Sequence, residues 1–107
     1  FINLINQLSK TTDKALFITL FSQLVMHTEE HFNAEKELMQ KTNFPAIHEH
    51  NNEHQRILGE LHHFSLKITL GSVLMGRTYI TEQLPSLFDL HAATMDSALA
   101  AHIKSLS

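Results

Sequence analysis

The segment HFNAEKELMQKTNFPAIHEHNNEH, residues 31–54, contains the end of one helical pattern and the beginning of another. Asn43, Phe44 and Pro45 separate the two patterns, because the residue before a proline is pushed out of the helical region. Proline is well tolerated in the first turn of the helix that follows. The segment therefore predicts a sharp reversal between two helices, at about residues 13–41 and 45–69.

Apolar residues three and four positions apart extend these patterns in both directions and predict four helices in all. The first helix is already under way at Phe1, with no capping residue before it, so we expect the sequence to begin partway along a helix. Breaks are predicted at residues 9–13 and 71–76, and a fourth helix at about 78–106, in which Pro85 should introduce a kink or delay the start. Four helices joined by short loops favour an all-α, up-down-up-down antiparallel bundle.

The composition is that of a single globular domain over residues 1–107, with 43% hydrophobic and 18% charged residues. A net charge of -3 offers no basic surface for nucleic acid, and no apolar run is long enough to suggest a membrane span. Cysteine is absent, which excludes disulfides, iron–sulfur clusters and thiol catalysis and fits a reducing cytoplasm. Histidine, the commonest metal ligand, is unusually frequent: there are nine, against eight lysines and arginines together.

Histidines and carboxylates interrupt the apolar stripes that should face the interior of the bundle. On the second helix, the predicted inward stripe is Leu16, Leu20, Leu24, His27, His31, Glu35 and Leu38, and a separate packing stripe is Phe17, Phe21 and Phe32. On the third helix, the predicted inward stripe is Ile47, His50, His54, Ile57, Leu61, Phe64 and Ile68. His31 and Glu35 are four residues apart, so they project from one face of their helix. His50 and His54 repeat that spacing on the next helix.

Two such pairs, each in the middle of a predicted buried stripe, indicate a metal site. Burying four polar groups without partners would cost roughly several kcal/mol. A shared metal ion removes that cost, because it binds neutral imidazoles and ionised carboxylates together. Considered singly, a histidine on such a stripe is more often a hydrogen-bonded core residue. On the fourth helix His91 should be a further ligand, but Asp96 lies about 140° farther round an ideal helix, so spacing alone does not select it over Asp89.

The order and spacing of these motifs resemble the bacterial hemerythrin family over nearly the whole chain. The matching motifs are H-F-N-A-E at residues 31–35, Leu38-Met39, Phe44-Pro45, H-x3-H at His50 and His54, and H-x4-D at His91 and Asp96. The resemblance implies a four-helix bundle that holds two non-haem iron ions, bridged by a glutamate, an aspartate and an oxo or hydroxo group. It also implies reversible binding of O2, or of a small anion, by an oxygen carrier, store or sensor that is not an enzyme.

The resemblance implies a ligand set residue by residue. It places three histidines on one iron, one histidine on the other iron and two carboxylates between them: His50, His54 and His91; His31; Glu35 and Asp96. The family pattern has a further histidine on the second iron, four residues before Phe1, which this sequence does not contain. Three alternatives stay open: that ligand lies upstream of this sequence, His27 replaces it, or the site is incomplete and does not bind O2.

A small ligand should occupy an apolar pocket beside the irons. We expect its walls to be Leu24, Phe32, Ile57, Leu61 and Leu87. Leu87 stands where bacterial members of the family usually carry tryptophan, so the pocket is lined differently in this chain.

Two other functions compete with oxygen binding. A ferritin-like di-iron carboxylate oxidase would use paired Glu-x-x-His motifs, and this chain has one such motif, Glu60 to His63, directed away from the face of His50 and His54. A metal-binding or purely structural bundle would hold zinc or a lone iron. The sequence also leaves open self-association, exchange of helices between chains and an output domain outside this sequence.

Overall fold

The computed structural model describes residues 2–106, and nearly all of them are helical. The first three helices are α1 at Ile2–Lys10, α2 at Lys14–Lys41 and α3 at Ile47–Thr69. The fourth helix is an unbroken series of helical segments from residue 73 to residue 105. Consecutive helices pack against one another, which confirms the all-α four-helix bundle. Phe1, where the first predicted helix begins, lies outside the described residues.

The ends of α2 follow local signals in the sequence. Asp13 caps its beginning, where the carboxylate accepts the backbone N–H groups of Ala15 and Leu16 at 2.9 and 3.4 Å. After its other end, Asn43 has a φ of 52°, a left-handed conformation that asparagine adopts more readily than most residues. The reversal predicted at Pro45 is confirmed, although α3 begins two residues beyond the proline.

The fourth helix begins at Val73, so the prediction of a connection at residues 71–76 was wrong for most of that range. Gly76 lies inside the helix and is buried. A Cβ atom at Gly76 would lie 2.3 Å from Cδ1 of Ile68 and 3.3 Å from Cε1 of Phe17. The glycine is therefore required by the close approach of helices, and not by a loop.

Two π-helical turns widen the fourth helix, at Tyr79–Gln83 and at Ala92–Asp96. A π turn closes with a hydrogen bond from residue i+5 to residue i, as between the Leu84 N–H and the Tyr79 carbonyl. Pro85 lies two residues beyond the end of the first of these turns. Of the two effects predicted at Pro85, a kink or a delayed start, the delayed start was wrong, because the helix already begins at Val73. The missing proline N–H falls where the regular hydrogen-bond ladder is already interrupted.

The main core lies between the four helices and consists of large aliphatic and aromatic side chains. Its fully buried members include Leu8 of α1, Phe17, Phe21 and Leu24 of α2, Ile57 and Leu61 of α3, and Ile80 and Leu84 of the fourth helix. A smaller cluster of Met39, Phe44 and Leu99 lies at the other end of α2. Within residues 2–106, the structure contains no helix that is long and apolar enough to cross a membrane.

The predicted inward stripe of α2 is confirmed only in part, whereas that of α3 is largely buried. The aromatic stripe of α2 faces the core together with Leu20 and Leu24 of the predicted inward stripe. The other apolar and histidine members of that stripe are exposed: Leu16, His27, His31 and Leu38. The phenylalanine rings bury more apolar area than the leucines would, which turns the helix toward them. On α3, the predicted inward residues that are buried are His50, His54, Ile57, Leu61 and Ile68.

Candidate metal centre

Three histidines converge in the middle of the bundle. His50 and His54 come from consecutive turns of α3, and His91 comes from the fourth helix between its two π turns. These residues are among the most buried polar ones, with exposures of 1%, 3% and 5%. The Nε2 atoms of His54 and His91 are 3.2 Å apart. The Phe32 ring stacks on the His54 imidazole, with 3.7 Å between centroids and 4° between planes, and holds that ring in place.

The Glu35 carboxylate joins this group of imidazoles to a fourth one. Its Oε2 atom lies 3.0 Å from Nε2 of His50 and 3.1 Å from Nε2 of His54. Its Oε1 atom lies 2.7 Å from Nε2 of His31, whose side chain is 48% exposed. One carboxylate therefore faces two separate positions, a buried one beside the α3 histidines and a more open one beside His31.

The second π turn brings Asp96 to the same group. Its Oδ1 atom lies 3.2 Å from Nε2 of His91 and 3.5 Å from Nε2 of His50. Residues five apart share a face in a π turn, whereas an ideal α-helix would separate them by about 140°. The hydrogen bond from the Ser97 hydroxyl to the Ala92 carbonyl, also five residues apart, has the same widened geometry. This turn explains why α-helical spacing did not select Asp96.

The donor atoms of this cluster are arranged as they would be around a cation. One atom from each of five residues lies within 4.8 Å of the others, from Glu35, His50, His54, His91 and Asp96. Ligand atoms that surround one ion at about 2.0–2.3 Å are roughly 3 Å apart, which matches the separations here. Although they lie close to one another, Glu35 Oε2, His50 Nε2 and Asp96 Oδ1 are buried and make no hydrogen bond of suitable geometry. Each such atom costs about 1–3 kcal/mol, and a bound metal ion would remove that cost.

The protonation states favoured by the fold also fit a metal site. Burial lowers the pKa of His50 and of His91, so both imidazoles are held neutral. Burial alone would raise the pKa of Glu35, but the close His54 imidazole and the positive field of its neighbours lower it to about 2. Burial and the nearby Glu35 charge raise the pKa of Asp96. A cation between these two carboxylates would relieve their repulsion, and neutral imidazoles are the form that binds metals.

A cavity of about 420 Å³ opens beside the cluster. Its walls include Ile5 and Asn6 of α1, His31 and Phe32 of α2, and Pro85 and Phe88 of the fourth helix. Of the pocket predicted from the sequence, Phe32 lines this cavity. Leu24, Ile57 and Leu61 belong to the main core, and Leu87 packs against that core. The prediction failed because periodicity does not reveal which turns of α1 and of the fourth helix face each other.

The remaining candidate residues lie outside the five-residue cluster. His27 is exposed on α2. Asp89 is exposed and lines the cavity. The Oε2 atom of Glu60 lies 3.6 Å from Nη1 of Arg56, and His63 is exposed. The Glu-x-x-His motif is therefore not directed at the candidate metal centre.

The sequence of this chain is similar to that of a known protein. The chain is 32% identical over 96 residues to a protein named Bacteriohemerythrin from Ralstonia nicotianae. The aligned region spans 90% of this chain and 69% of the relative. No protein-family model and no solved structure matches the chain.

Proposed function

This chain belongs to the bacterial hemerythrin family, and on that premise we propose that it holds a non-haem pair of iron ions and binds O2 reversibly. The observation that carries the proposal is the position of Glu35. Its Oε2 atom faces the buried histidines, and its Oε1 atom faces His31. A carboxylate placed in this way can bridge two ions a few ångströms apart.

The proposed ligands divide into two unequal sets. His50, His54 and His91 would hold one iron, with Glu35 Oε2 and Asp96 Oδ1 completing its shell. His31 and Glu35 Oε1 would hold the other iron. Two ferrous ions, when bound, supply the electrons and the open coordination position that hold O2 reversibly. The more open set lies beside the cavity, where a diatomic ligand would have room.

The side chains around the cavity would protect a bound ligand from water. Ile5, Phe32, Pro85 and Phe88 present apolar surface to the space beside His31. A dry surrounding hinders proton transfer and loss of a charged product, which favours release of the ligand unchanged. Phe32 has a second role, because its stack on His54 fixes the orientation of a proposed ligand ring.

The decisive experiment is anaerobic loading with ferrous iron followed by exposure to O2. We expect about two irons per chain and near-ultraviolet charge-transfer absorption that appears with O2 and disappears when O2 is removed. Absorption that persists after deoxygenation, with net consumption of O2, would instead support an oxidase. A protein that binds two irons and shows no response to O2 would overturn the proposal.

A second candidate, a bundle with a single metal ion, is favoured by one observation. Five donor atoms converge on the buried position, whereas His31 and Glu35 Oε1 are the donors proposed for the open one. Such a protein would bind one zinc or iron ion per chain and show no spectrum dependent on O2. Metal analysis distinguishes it directly from the two-iron proposal.

A further inference from the structure

Arg77 connects the beginning of the fourth helix to the end of α1. Its Nη1 atom donates to the carbonyls of Leu8 and Ser9, both at 3.3 Å, and its Nη2 atom donates to the carbonyl of Thr11 at 2.6 Å. The last carbonyls of a helix have no partners within that helix, so they are natural acceptors. The planar guanidinium, with donors in a fixed fork, suits several carbonyls at once.

Close packing fixes the backbone next to Arg77. Gly76, the preceding residue, lies so close to Ile68 and Phe17 that a Cβ atom could not be accommodated without a shift. The Arg77 guanidinium then lies 5.1 Å from the centre of the Phe17 ring, within the range of a cation–π contact. The arginine is therefore held by the core on one side and by the α1 carbonyls on the other.

Helix α1 forms one wall of the cavity beside the candidate metal centre. Ile5 and Asn6 line that cavity. Among residues 3–10 of α1, Leu8 is fully buried in the main core, with Leu4 and Ile5 partly buried beside it. The carbonyls of Leu8 and Ser9, which Arg77 binds, lie within one turn of Ile5 and Asn6 in the same helix. The position of this wall should therefore depend on the contacts that Arg77 makes.

We propose that Arg77 is a positioning residue that holds α1 against the cavity and so limits the access of small molecules to the centre. This proposal rests on the proposed function only for the reason why access would be limited, which is to guard a site for a small ligand. The structural claim concerns α1, Arg77 and the cavity alone. It can therefore be tested in the protein without metal.

The test compares the wild-type protein with the Arg77→Met and Arg77→Lys variants. Lys41→Met is the control, since it also removes one positive charge, from an exposed position at the far end of α2. Hydrogen exchange of the α1 amides measures how firmly α1 is held. Modification by diethyl pyrocarbonate, followed for each histidine by mass spectrometry, measures access to the cavity. His91, which is 5% exposed, lines this cavity, and His50, which is 1% exposed, does not. A change in the ratio of their rates relative to the wild type therefore separates local from global opening.

In the Arg77→Met variant, we expect α1 amide exchange to be at least about tenfold faster and the His91 to His50 rate ratio to rise. The Arg77→Lys variant should lie between this variant and the wild type, because lysine keeps the charge but lacks the fork. Unchanged α1 exchange in a folded variant would overturn the proposal, as would faster exchange with an unchanged rate ratio. A wild-type protein that fails to bind O2 would refute the proposed function and leave this test unaffected.

Discussion

The two oxygens of Glu35 face two different environments. On the Oε2 side, His50, His54 and His91 are buried in the packed middle of the bundle. On the Oε1 side, His31 is half exposed and borders a cavity whose far wall is α1. One carboxylate thus separates a closed half of the centre, which reaches that cavity through His91 and Asp96, from an open half around His31. The difference leads us to expect that the closed half determines whether metal is retained, and that the open half determines which ligand can enter.

Breaking the closed half should have the largest effect. We expect His54→Ala to weaken iron binding by more than about 100-fold, beyond the 10–100-fold typical of groups that only support a ligand. The fold should survive, because Ile57 and Leu61 continue the buried stripe of α3. Iron retained after anaerobic loading and desalting measures the effect, and circular dichroism measures the fold. His48→Ala, an exposed histidine on the same helix, is the control. Unchanged iron in the His54 variant would contradict the assignment of the closed half.

Breaking the open half should have a smaller and more selective effect. We expect His31→Ala to retain iron in the closed half, lowering the content from about two to about one per chain, and to abolish the response to O2. In the wild type, the closed half should fill first as ferrous iron is added. His27→Ala is the matched control, because this residue is exposed one turn earlier on α2. Equal iron loss in the His27 variant would identify His27 as a ligand instead.

Asp96, whose carboxylate lies between His91 and His50, offers a sharper test of the closed half. We expect Asp96→Asn to weaken iron binding by about 10–100-fold, since the amide keeps the shape of the side chain but loses its charge. Asp89→Asn makes the same chemical change at an exposed wall of the cavity. Isothermal titration with ferrous iron compares the two variants. A stronger effect at Asp89 than at Asp96 would show that the π turn does not select the ligand.

The smallest effect concerns the pH dependence of the metal-free protein. The pKa values of His50 and His91 are lowered by burial, so the unfolded chain takes up their protons before the folded protein does. Stability should therefore fall as the pH drops below about 6.5. Glu35, with a pKa of about 2, adds a further loss below about 4.5, which the raised pKa of Asp96 partly offsets. Melting temperatures measured between pH 7.5 and 5.5 should show a decline of a few degrees, and His50→Leu should flatten it.

Local sequence signals were sufficient for the features that depend on one helix or one turn. The spacing of His50 and His54 predicted a shared face, and both side chains are buried together. The proline at residue 45 predicted the reversal between α2 and α3. Asp13, the last residue of the break predicted at residues 9–13, caps α2. In each case the deciding interaction lies within a few residues of the signal.

The features that sequence did not predict depend on contacts between helices or on irregular geometry. Gly76 looked like part of a loop because the space that it leaves for Ile68 is visible only in three dimensions. The inward face of α2 was misplaced in part, at Leu16 and Leu38, since leucine and phenylalanine stripes lie side by side and only packing chooses between them. Asp96 could not be selected by a period of 3.6 residues, because the turn that contains it has a longer period.

The second π turn also has a consequence for the shape of the whole bundle. An extra residue in a helix amounts to a rotation of about 100° about its axis, so the fourth helix changes phase at residues 92–96. Before this step, Ile80 and Leu84 face the main core. After it, Leu99 faces the separate cluster at the other end of α2. The extra residue of this π turn brings the Asp96 carboxylate to the imidazoles and also determines which face of the last helical segment packs against the bundle. Any change in the length of this turn would therefore alter both the carboxylate position and the packing of that segment.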